Sequence, residues 1–275
     1  MSQAFYPPTR PLAIGEVLDL AIQIFKATAV RGIPYGICAV TFGQLPNIYD
    51  LGSGAVRQPY GGDRPLWLAL LFVGTVLALI AWAALLLRQR AIIERTPSTF
   101  GREIAEALRR LPFFVLATVL FLLVVGGVFA LLLLVPDQYR TWTRIPLIGL
   151  SGYLAVLLSC AWPAVLVVGQ GPLGALRQSV RLVWGNWWRV CAVYVVGAAA
   201  VLVLAILVAI LIALVVPALV ADIPVMMAVY RVLANATVAV VAPFVGALLL
   251  AVFGDLRVRR EGLDLQQRIA GLAVE

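Results

Sequence analysis

Residues 88–110, RQRAIIERTPSTFGREIAEALRR, carry six arginines between two long apolar runs, 66–87 and 111–135. Each run is long enough to cross a hydrocarbon layer of about 30 Å as a helix. Cationic side chains resist translocation, so a connector this basic is expected on the cytoplasmic side. With that connector placed, every other segment acquires a side.

The wider composition agrees. The chain is 63% hydrophobic and 12% charged, with a mean hydropathy of +1.02, against about 25% charged in a soluble domain. The expected fold class is therefore all-α, a polytopic membrane helix bundle. Glu16, Asp19, Gln23 and Lys26 interrupt the first 28 residues, so no secretory signal peptide is read there. No polar stretch is long enough for the ~50 residues of a separate soluble domain, which makes residues 1–275 one membrane domain. The net charge of +8 sits beside the apolar runs. That favours orientation and anionic lipid over nucleic acid.

Taken in order, residues 14–28 place Ile14, Val17, Leu18, Ala21, Ile22 and Phe25 at helical spacing opposite Glu16, Asp19, Gln23 and Lys26. This reads as an amphipathic helix, lying in the membrane interface or packed on the bundle. Residues 29–48 form the first crossing or a re-entrant segment, since they contain Arg31, Pro34, Gln44, Pro46 and Asn47. An external loop follows over 49–65, then the second crossing over 66–87. Inside the basic connector, Phe100, Ile104, Ala107, Leu108 and Leu111 line one face of a second amphipathic helix. The third crossing is 111–135, the external turn 136–144 with Tyr139 and Trp142, and the fourth crossing 145–169, with a bend expected at Pro163. A third amphipathic helix ends in Trp184, Trp187 and Trp188. Residues 190–221 span about 48 Å as a straight helix, more than the apolar layer. They must tilt, bend near Pro217 or project. Residues 222–235 form the last external turn, 237–254 the sixth crossing, and 255–275 a cytoplasmic tail. This layout puts 16 of the 21 lysines and arginines inside and 5 outside, with both termini cytoplasmic in a bacterial inner membrane.

The order amphipathic helix, crossing, external turn, crossing occurs three times, over roughly 10–87, 96–169 and 172–254. Gly15, Gly101 and Gly174 correspond, as do Trp82, Trp162 and Ala242 in the even crossings. The units share one orientation, which predicts a threefold parallel repeat.

Chemistry is scarce. There is no histidine, the commonest general base and metal ligand. Cys38, Cys160 and Cys191 lie in or beside apolar runs without metal or disulfide spacing. No ionisable residue falls near the middle of a crossing. No catalytic residue, metal or cofactor is assigned, and the expected protein is not an enzyme. Two groups could bind something. Arg177, Arg181 and Arg189 alternate with Trp184, Trp187 and Trp188, and Arg257, Arg259 and Arg260 follow the last crossing; together they suit anionic phospholipid. Gln44, Asn47, Asn235 and Thr237 would form a polar cluster if the first and last crossings are neighbours, either as a small site or as interhelical hydrogen bonding. The spacing of Gly32 and Gly36 would let helices approach closely.

RPLAIGEVLDLAIQIFK, ALRQSVRLVWGNWWR and FGDLRVRREGLDL resemble a broad group of bacterial six-span proteins. The group is named for the membrane domain of some glycerophosphodiester phosphodiesterases. The resemblance runs from Arg10 to about Leu265 and implies fold and location. In that family hydrolysis belongs to a separate soluble domain with acidic and histidine residues, so none is implied here. A membrane enzyme would have to rest on Asp255, Glu261 and Asp264, which lack a metal-type arrangement, so two other readings lead. One is a non-enzymatic scaffold or accessory subunit of a membrane complex, with other membrane proteins or further copies as partners. The other is a transporter or channel for a lipid or other amphiphile. A tightly packed bundle with a flat apolar face would favour the first, and a wide apolar cavity between crossings the second.

Overall fold

A computed structural model describes residues 6, 8, 10–52, 64–96, 99–136, 140–219 and 222–262. Among them the secondary structure is helical throughout: α1 (Ile14–Gly43), α2 (Leu45–Gly52), α3 (Arg64–Ile93), α4 (Phe100–Leu134), α5 (Arg140–Leu158), α6 (Ala161–Pro163), α7 (Pro172–Val183), α8 (Trp187–Leu219) and α9 (Ile223–Glu261). Ala164–Val168 continues α6 as a π-helical turn. Among the described residues, five stretches are long and apolar enough to cross a membrane: Pro65–Ile93, Phe100–Leu131, Trp142–Val168, Trp187–Leu219 and Val225–Glu261. The chain is thus a multi-pass integral membrane protein. Helix α1 does not reach that apolarity, because Lys26, Arg31 and Pro34 interrupt it.

Amphipathic segments and crossings are divided differently from the reading by sequence. The first amphipathic segment and the crossing after it are one helix, α1, and the second amphipathic helix runs on into the third crossing as α4. Nothing at residues 28–29 or 111 stops either helix; Pro112 lies inside α4 without ending it. The third amphipathic helix, α7, does stand apart, because Gly185 adopts a left-handed φ of 83° after it. Most of the turn expected over 222–235 is the first part of α9, and residues 49–52 belong to α2. Tyr139 and all but the first eight residues of the expected tail lie outside the described residues.

Helix α1 lies between α3 and α9, and the surface of α9 that meets it carries Ala239 and Pro243. Gly32 packs on Pro243 and Leu85, and Gly36 lies directly against the carbonyl oxygen of Ala239. In α-helical register that carbonyl would accept the N–H of residue 243, and proline has none. The same device recurs at the far end of α1. Pro46 cannot serve the carbonyl of Phe42, and Gly74 of α3 lies against that oxygen. Glycine is required at 36 and 74 because any β-carbon would strike the exposed carbonyl.

Burial is concentrated at one end of the bundle, the end that carries the arginines. Ala83–Leu87 of α3, Cys160 and Ala164–Leu166, Leu182 and Val183 of α7, and Leu250–Phe253 of α9 are all nearly inaccessible. Toward the other end the helices separate. Only 6% of the most apolar window of α8 and 11% of that of α4 is buried, against 61% in α9. Helix α8 runs unbroken for 33 residues through Pro217, about 50 Å.

Candidate functional site

The basic end is held shut by side chains that bond backbone. The carboxylate of Asp255, 2% exposed, accepts the N–H of Leu12 at 2.8 Å and pairs with Arg259 at 3.0 Å and Arg189 at 3.3 Å. Both arginines also donate to the carbonyl of Leu12. The N-terminal segment is thereby fastened across the ends of α8 and α9. Ahead of it, the ring of Tyr6 lies on Gly254, where a β-carbon would stand 2.8 Å from the ring. Burial holds the Tyr6 phenol above its ordinary pKa.

The basic connector does comparable work. Arg90 donates to the carbonyl of Val167 at 2.6 Å and Arg110 to that of Leu166 at 2.5 Å. These carbonyls end the π-helical turn before left-handed Gly169, and a helix terminus leaves them without intrahelical donors. Glu103, 3% exposed, accepts from Arg88 at 2.6 Å and from the hydroxyl of Tyr35 on α1. Gln89 donates to Thr28 at 3.3 Å and to the carbonyl of Pro243 at 2.6 Å, tying α3 to α1 and α9.

The fourth crossing breaks at Ser159 and Cys160, ahead of Pro163, rather than at that proline. Pro163 cannot supply an N–H to residue 159. Ser179 of α7 splints the break: its hydroxyl accepts the N–H of Cys160 at 3.1 Å and donates to the carbonyl of Leu157 at 2.8 Å. Accordingly α7 buries Gln178 and Ser179 beside Ala175, Leu182 and Val183, while Leu173 and Trp184 at the two ends of its apolar face turn outward.

Above this closed end lies a half-open cavity of about 420 Å³, within the range of ligand sites, roughly 300–1,000 Å³. Helices α3, α4, α5, α6, α8 and α9 surround it, with Trp82, Phe114, Trp162 and Tyr194 as its largest side chains. Its polar groups are few and mostly committed to one another. Tyr194 donates to Ser159 at 3.0 Å and Ser159 to the carbonyl of Val156 at 2.8 Å. Trp162 donates to Thr118 at 3.2 Å and Thr118 to the carbonyl of Phe114 at 2.8 Å. Farther along α9, Leu233, Thr237 and Val241 line a second apolar groove against α8, about 520 Å³. Along α3, Trp82 and Leu79 lie about 9 and 14 Å beyond Arg88.

The residues singled out by sequence are placed as follows. Arg189, Arg257, Arg259 and Arg260 are engaged within the molecule, with Asp255, Glu261, Asp255 and the carbonyl of Trp184 respectively. Arg181 reaches Glu261 at 3.0 Å while its side chain stays 68% exposed. Trp187 donates to the carbonyl of Tyr153 at 3.2 Å. Arg177 is exposed, as are Trp184 at 61% and Trp188 at 80%. In the polar cluster, Asn47 donates to Gln44 at 2.5 Å and Thr237 to the carbonyl of Leu233 at 2.9 Å. Among the described residues no hydrogen bond joins one pair to the other. Sequence reasoning did not find the chamber; the correspondence of Trp82 with Trp162 was its one visible trace.

No family model, curated protein or solved structure matches this chain.

Proposed function

We propose that this is a non-enzymatic protein of the bacterial inner membrane that takes the apolar part of a lipid or other amphiphile into the chamber around Trp82 and Trp162. The single observation carrying this reading is the position of the chamber. It opens between crossings about 9–14 Å beyond Arg88, inside an apolar layer of about 30 Å, and its walls are apolar. The closed basic end below it argues against an open pore. The resemblance to the phosphodiesterase-associated membrane domain supports the same location and adds no activity.

In this reading the basic connector and both termini are cytoplasmic and there are six crossings, the sixth supplied by α1 with α2. Contacts support that. Thr28 bonds Gln89, Gly32 meets Leu85, Phe42 meets Gly74, and Trp67 donates to Asp50 at 3.1 Å. Helices α1 and α2 therefore follow α3 from one end to the other. Lys26 and Arg31 are exposed on α1 near the level where Thr28 meets Gln89, close enough to the basic end for their side chains to reach the headgroups. The threefold repeat draws support from the pairing of α1 with α3, α4 with α5 and α8 with α9.

The experiment is native mass spectrometry of the protein released from membranes in mild detergent. Wild type is expected to retain a lipid that Ala155→Trp, filling the chamber, loses. Equal retention by the two would refute the reading. The scaffold reading keeps one favourable observation, the nearly bare apolar surface of α8, and in-membrane crosslinking from Leu207 would reveal a protein neighbour there.

A further inference from the structure

We infer that the chamber selects its occupant by hydrocarbon chain and is indifferent to the head group, an inference that rests on the chamber reading above. The argument is an inventory of donors. Of the side chains lining the cavity, five carry an N–H or O–H: Trp82, Thr118, Ser159, Trp162 and Tyr194. Four of these spend their hydrogen inside the protein, on Phe114, Val156, Thr118 and Ser159. None of the lining residues is charged.

A phosphate or carboxylate taken from water into such a place would forfeit its hydration. It would meet at most the indole N–H of Trp82 in return. Uncompensated burial of an ionised group is prohibitive, and phosphate sites are built from charge-assisted donors such as arginine. No arginine is among the residues lining the cavity: Arg88 is about 9 Å along α3 from Trp82 and is committed to Glu103. The second groove repeats the pattern, since the only hydroxyl lining it, on Thr237, is spent on the carbonyl of Leu233. A chain entering sideways from the bilayer meets aromatic and aliphatic surface only. Its head group stays at the interface, outside the walls that could read it.

The test uses the full-length protein in vesicles, with the five other tryptophans (67, 142, 184, 187 and 188) replaced by phenylalanine so that only Trp82 and Trp162 fluoresce. Lipids with bromine on one acyl chain act as contact quenchers. One series holds the chain constant and varies the head group among phosphoglycerol, phosphoethanolamine and the bare hydroxyl of diacylglycerol. A second holds phosphoglycerol constant and varies chain length. Quenching is expected to be equal across head groups and to change with chain length. Quenching several-fold stronger for the anionic lipid would overturn the inference and leave the chamber reading standing. Quenching that no lipid raises above the level of the same two-tryptophan protein carrying Val245→Phe, which fills the chamber from α9, would remove the chamber reading itself. Ala155→Phe fills the same space from α5 and serves where Val245→Phe fails to reach the membrane.

Discussion

Gly36 on α1 lies against the carbonyl oxygen of Ala239 on α9, the one oxygen in that turn of α9 that Pro243 leaves without an N–H. A proline and a glycine far apart in sequence thus solve one problem together. The helix accepts a proline in apolar surroundings because a neighbour's Cα–H approaches the freed oxygen. Gly36→Ala should cost about 1–3 kcal/mol, as overpacking does, and lower the thermal unfolding midpoint in detergent. Gly15→Ala is the control, since nothing lies within 4 Å of the added carbon, and its midpoint should not fall.

Asp255 is predicted to be the residue whose neutralisation loosens the closed end most. Asp255→Asn leaves Arg189 and Arg259 without their buried partner, a loss of about 3–5 kcal/mol. The segment around Leu12 should come free, and thermolysin should cut the Ala13–Ile14 bond far faster than in wild type. A cleavage rate unchanged by the substitution would contradict the clamp.

Ser179→Ala strands two buried backbone groups at once, the N–H of Cys160 and the carbonyl of Leu157. An unsatisfied buried polar group costs about 1–3 kcal/mol, so this small change should destabilise the fold more than Leu173→Ala on the exposed side of α7. Cys160, fully buried in wild type, should react measurably with maleimide in the variant.

The head of α1 should show a pH signature. Glu16 accepts the backbone N–H of Ala13 and pairs with Arg10, and in that order these hold its carboxyl below the ordinary value of 4.5. A depressed folded pKa gives stability that is present above 4.5 and fades as pH falls through the folded value. Wild type should therefore exceed Glu16→Gln in thermal midpoint at neutral pH and lose that advantage in acid.

Among the arginines expected to meet anionic lipid, those engaged inside the molecule and those still exposed should behave differently. Arg177→Gln together with Arg181→Gln should reduce retention of anionic lipid while leaving stability nearly intact, since exposed pairs contribute about 0–1 kcal/mol. Arg189→Gln should destabilise the fold instead. Unchanged lipid retention in the double variant would end the proposal for that surface.

Much of the architecture was legible from local pattern. The six arginines of residues 88–110 marked an end of the bundle, and the apolar runs marked its crossings. What they bond was not legible. Arg90 and Arg110 cap carbonyls of a π-helical turn more than fifty residues away. The spacing of Gly32 and Gly36 was visible, while the oxygen requiring glycine at 36 belongs to α9. Ser179 looked like one more residue on an amphipathic helix, because the break it splints forms only in three dimensions. The chamber was hidden for the same reason. Its walls come from six helices, and each contributes side chains that any apolar crossing contains.

The most direct test of the account is photo-crosslinking in native membranes with a lipid bearing a diazirine on its acyl chain, mapped by peptide mass spectrometry. The account predicts label on Leu79, Trp82, Val156 and Leu248 in wild type, absent from Ala155→Trp, with label on Leu207 and Leu214 of α8 equal in both. Label confined to α8 and the other outward faces, or chamber label untouched by Ala155→Trp, would contradict it.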